Sequence, residues 1–198
     1  LMAIHLSNTL LLSAVIIFSH FLSRSQKAIV SLVNVFKGWA PLFLVSTIGF
    51  VAVCSMGAVT ALGDTLFPAK SLSEGYKALE GIQHFLLSLR VYHPLLALSV
   101  SGVIILMALH GPQTGVNRKP VIAVIGLVCV SVAFGGINWL LLAPSWAQII
   151  HLLLANLLWF AILAYGATTF FVLNPASNAL NEYSQHSITA QVGGNCSK

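Results

Sequence analysis

Hydrophobic residues run in five long blocks, and polar and charged residues collect in the links between them and in the tail. The blocks fall at about Met2 to Phe21, Trp39 to Leu62, Gln83 to Leu109, Pro120 to Leu142 and Pro144 to Phe171. Each is long enough, at about 1.5 Å per residue, to cross a hydrocarbon layer of about 30 Å as an α-helix. The pattern predicts an all-α integral membrane protein, with about five transmembrane helices in an up-and-down bundle. Residues 1–24 form one helix, 25–38 a basic connector suited to a short interfacial helix, 39–173 a four-helix bundle, and 174–198 a polar, flexible tail. The link after the second block, GDTLFPAKSLSEGYKALEG, holds Asp64, Glu74 and Glu80 and reads as a water-exposed loop.

Composition agrees with the pattern. With 58% hydrophobic residues, 7% charged residues and a mean hydropathy of +0.93, the chain carries more apolar surface than a soluble core of this length can bury. A net charge of +5 in such a chain reports topology rather than nucleic acid, and no interleaving of basic and aromatic residues suggests a nucleic-acid surface. Arg24, Lys27 and Lys37 in the first link and Arg118 and Lys119 in the third put those links on the cytoplasmic side of a bacterial plasma membrane, or the matrix side of a mitochondrial inner membrane. The C-terminus falls on that side too. Leu1 precedes Met2, so either the chain starts at Met2 or the sequence is a processed or partial product. The first block is not read as a signal peptide, because no positive region precedes it and no small-residue cleavage pattern closes it.

The chemistry lies in histidines. His151 interrupts the last apolar block near its start, and His93 has the same relative position in the third. His5 stands near the start of the first. The assigned topology places all three in the outer half of the bilayer, each within about three turns of the same face. An ionisable side chain at such depth faces the protein interior and has a partner. Two neutral imidazoles from facing helices suit the iron of a haem, and a hydrogen bond across the bundle is the alternative. Arg90, one turn before His93, is either a snorkelling anchor or a contact for a haem propionate. His20 reads as interfacial, and His84, His110 and His186 as solvated groups at helix ends or in the tail. Trp39, Trp139 and Trp146 lie near span ends and read as an aromatic belt. Gly57 and the Gly135-Gly136 pair suit close helix packing or close approach of a flat macrocycle. Ile4-His5-Leu6 with Leu11-Leu12 echoes Ile150-His151-Leu152 with Leu157-Leu158, as expected if helices one and five are equivalent members of a duplicated bundle.

IHLLLANLLW in the last block, LRVYHPLLA in the third, GAVTALGDTLFP closing the second and IHLSNTLLL at the beginning resemble the heme A synthase (CtaA) family. The resemblance implies the last helix of a first four-helix half and the whole of a second. It implies an oxidoreductase of heme A biosynthesis that oxidises a methyl group of heme O to the formyl of heme A for cytochrome oxidase. His93 and His151 then match the axial ligands of a haem b, and His5 a ligand of a second haem, heme O or heme A, as substrate or product. No catalytic residue is assignable, because the glutamate and histidine of the family's opening helices have no counterpart here. The family's arginine after the histidine matched by His93 is replaced by Pro94. The alternative is a non-catalytic haem- or pigment-binding structural subunit of the same kind within a larger membrane complex. Expected partners are the lipid bilayer, haem, a cytochrome oxidase assembly or larger membrane complex, and a second copy of the chain. A small transporter is disfavoured by the lack of paired intramembrane acids and broken helices.

Overall fold

The structure, a computed structural model, describes residues 2–24, 39–68, 71, 85–111 and 118–172. The connector at 25–38, Glu74, Glu80, His84, His186 and the tail lie outside these residues. Five α-helices account for nearly all of what is described: α1 (Met2–Arg24), α2 (Ala40–Leu66), α3 (Phe85–His110), α4 (Lys119–Leu140) and α5 (Ser145–Val172). Each is long and apolar enough to span a membrane, and among the described residues there is no strand. The chain is a helical integral membrane protein whose lipid-facing positions carry the exposed Leu, Ile and Val side chains.

Helices α2, α3, α4 and α5 pack in a ring in chain order, so α3 and α5 stand diagonally across the interior; α1 lies in the groove between α2 and α5. Trp159 Nε1 on α5 donates to the Leu10 carbonyl at 3.1 Å and to Ser13 Oγ at 3.0 Å, tying α1 to the bundle. Ser7 and Ser55 join α1 to α2 through a 2.8 Å hydroxyl pair.

The two ends of the bundle are built differently. Where α2 begins and α3 and α5 end, aromatic rings fill the interior: Trp39, Phe43 and Tyr165 are buried, with Trp39 Nε1 donating to the Met107 carbonyl at 2.8 Å and Tyr165 Oη to the Ala108 carbonyl at 3.2 Å. Trp39 is therefore a core residue, correcting its reading as a belt residue, because a carbonyl inside the bundle satisfies its indole N–H. Trp146 and Trp139 are exposed as expected. Toward the other end large buried side chains give way to Thr60, Gly63, Ser131 and Ala147, with Leu89 the exception.

Helix α2 runs one turn further than its apolar block, to Leu66, and carries Asp64 with it. Asp64 is thus not a loop acid. The tight connection from α4 to α5 also differs from a plain turn: Leu142 and Ala143 both have positive φ, at 62° and 54°. Ala143 N–H donates to the Asn138 carbonyl and Leu142 N–H to the Trp139 carbonyl, the paired bonds that close a helix through a left-handed residue, here leucine rather than glycine. Gln148 Nε2 donates back to the Ala143 carbonyl at 2.6 Å, fixing the first turn of α5.

Candidate functional site

His93 lies in the third turn of α3 and His151 in the second turn of α5, both at the end of the bundle with small interior residues. Their helices stand diagonally across the bundle interior. Nδ1 of each ring is buried and has no hydrogen-bond partner. A buried unpaired imidazole nitrogen is unfavourable by about 1–3 kcal/mol, so two at one level mark a place built for something besides packing.

Each ring rests on a glycine of its hairpin partner. A Cβ on Gly57 of α2 would lie 2.9 Å from His93 Cε1, and one on Gly135 of α4 would lie 3.0 Å from His151 Cε1. A side chain at either position would displace the imidazole from where it lies. Gly136, by contrast, has nothing within 4 Å of its would-be Cβ. The glycines thus make room for the histidine rings themselves. Pro94 follows His93 within α3 and has no N–H to close the bond to the Arg90 carbonyl, loosening the helix at that level.

The hairpins α2–α3 and α4–α5 repeat this arrangement. In each, a glycine on the first helix faces a histidine on the second, and the residue three before the histidine donates to a carbonyl just beyond the first helix. On one side Gln148 reaches Ala143; on the other Arg90 Nη2 reaches Phe67 at 2.5 Å while its Nε meets Asp64 Oδ1 at 2.5 Å. Sequence reading missed this repeat, since its residues share no local motif; the signal available was the glycine in each block preceding a histidine block.

Of three further unpartnered buried atoms, Ser131 Oγ and Asn138 Oδ1 lie on α4, one turn either side of Gly135, and Ser46 Oγ lies in the first half of α2. Among the described residues no group of three or more His, Cys, Asp or Glu side chains forms that could hold a bare metal ion. A haem iron can take imidazole nitrogens as its protein ligands, so the pair fits a haem in donor chemistry. His5 is exposed on α1 and is not brought to the pair. Its register with His151 is therefore not matched by a similar environment. His20 and His110 are exposed, as expected for histidines at helix ends.

Comparison with known proteins bears on what such a site serves. The chain is similar to curated proteins named protoheme IX farnesyltransferase from two strains of Thermus thermophilus, each 37% identical over 140 residues. The aligned region is 66% of this chain and 23% of each relative, so the chain spans about a quarter of their length. No protein-family model and no solved structure matches it.

These relatives overturn the heme A synthase expectation. They are named for farnesyl transfer to protohaem IX, not for oxidation of heme O, so the assignment to an oxidoreductase of heme A biosynthesis is corrected. The reading as a non-catalytic subunit of that family falls with it. The segments that carried the resemblance are short and lie in leucine-rich helices. There lipid-facing positions accept any large aliphatic residue, and registers coincide through composition.

Proposed function

We propose that this chain is the protohaem-holding part of a haem-modifying membrane protein of the protoheme IX farnesyltransferase kind. The observation that carries the reading is the pair of inward imidazoles, His93 and His151, at one level on diagonal helices, each seated on a glycine and each with a buried unpartnered nitrogen. The relatives' name supplies the molecule, since protohaem IX held without a covalent link is a haem b.

His93 and His151 would hold its iron, with their rings seated against Gly57 and Gly135. Bound protohaem brings the macrocycle that accepts the transferred group. The buried residues toward this end are mostly small, whereas Trp39, Phe43 and Tyr165 fill the other. Arg90 stands one turn from His93 on the same helix. The basic first and third links orient the chain with the histidine end toward the outer face of a bacterial plasma membrane.

The test is an absorbance titration of the purified full chain in detergent with protohaem IX. Saturable binding in the parent, lost in the His93→Ala and His151→Ala variants, is expected. Binding at parental affinity in both variants, or none in the parent, contradicts the proposed role of the pair.

A further inference from the structure

The two hairpins differ in the charge of one matched side chain. Three residues before each histidine, α5 carries neutral Gln148 and α3 carries Arg90, although each ties its helix to the segment just past the preceding one. A neutral amide suffices for that tie. A guanidinium only 11% exposed, beside a carboxylate only 17% exposed, is an expensive substitute in a membrane helix, because both charges leave water. Its charge therefore serves something that glutamine cannot.

The geometry indicates what. Nε is committed to Asp64 and one N–H of Nη2 to the Phe67 carbonyl, so among the described residues three N–H groups of the guanidinium remain uncommitted. Asp64 projects from the last turn of α2 and prevents the long arginine side chain from swinging out to water. We infer that Asp64 is a positioning residue that fixes Arg90 beside His93, and that Arg90 binds a carboxylate of the macrocycle held by the histidine pair, thereby setting which edge of it faces the α2–α3 hairpin. This rests on the proposed haem site and adds to it a preference for a free acid.

The experiment is an equilibrium absorbance titration of the full chain in detergent with protohaem IX and, separately, with its dimethyl ester, which keeps iron and ring but has no carboxylates. A charge-assisted bond of about 1.5–3 kcal/mol corresponds to protohaem binding about tenfold or more tighter than the ester. In Arg90→Gln, which copies the α5 side, the acid-to-ester ratio should fall to near one with ester affinity unchanged. In Asp64→Asn the ratio should fall about threefold, as an untethered arginine spends less time in place. The double variant Asp64→Asn/Arg90→Gln leaves no unpaired charge and should match Arg90→Gln, which guards against misfolding of the single variants.

Equal affinity for acid and ester in the parent, or a ratio unchanged in the Arg90 variants, overturns the assignment of Arg90. A ratio that rises in Asp64→Asn overturns the positioning role of Asp64. Failure of the parent to bind either compound removes the haem site itself; His93-dependent binding without acid preference removes the carboxylate contact alone.

Discussion

Replacing Gly57 or Gly135 by alanine tests whether the glycines exist to seat the histidines. A Cβ at position 57 would lie 2.9 Å from His93 Cε1 and 3.3 Å from Nε2, and one at 135 would lie 3.0 Å and 3.5 Å from the same atoms of His151. Unstrained carbon contacts lie at about 3.5–4.0 Å, so each ring must retreat by about half an ångström or more. The new atom is fixed to a helix backbone and cannot yield. Such overpacking is unfavourable by about 1–3 kcal/mol. If the displacement falls on the ligand-holding ring, protohaem affinity drops about 5- to 150-fold. Gly136→Ala is the internal control: its Cβ meets nothing within 4 Å, and alanine is the better helix former, so binding should be unchanged and stability equal or slightly raised. The assay is a haem titration of each purified variant, with circular dichroism to confirm helix content. Parental affinity in Gly57→Ala and Gly135→Ala, or equal damage from Gly136→Ala, would refute the reasoning.

Two further outcomes are expected. Trp159→Phe keeps an aromatic ring near Phe50, which it stacks upon at 5.5 Å between centroids, but removes both bonds to α1; it should lower stability to detergent-induced unfolding by about 1 kcal/mol and increase proteolysis within α1, and an unchanged unfolding midpoint would count against the α1 tether. Leu142→Gly removes a left-handed strain of about 1–2 kcal/mol at the α4–α5 turn, partly offset by the greater freedom of glycine in the unfolded chain, so the thermal midpoint should rise slightly; a fall would mean that the leucine side chain contributes more than its backbone strain removes.

The spans were legible because nothing but a membrane helix accommodates apolar runs of this length, and their bounds fall close to the expected ones. Asp64 was misplaced because hydropathy ends the second block at the first acid, whereas a helix continues when an arginine on its neighbour can pair with that acid. The shared level of His93 and His151 was legible from their positions in two blocks. Their seating on Gly57 and Gly135 was not, since which face of a helix meets which is decided by packing across hairpins that sequence distance conceals. Trp39 shows the same limit from the other direction: nearness to a span end suggests an interfacial ring, and only the Met107 carbonyl opposite makes it a core residue.

The most direct measurement is a reduced-minus-oxidised optical spectrum of the purified full chain loaded with protohaem, beside His93→Ala, His151→Ala and, as control, His5→Ala. The haem-holding account predicts a low-spin b-type signal in the parent, retained in His5→Ala and lost in both of the others. A parent without that signal, or one that keeps it when His93 or His151 is replaced, contradicts the account.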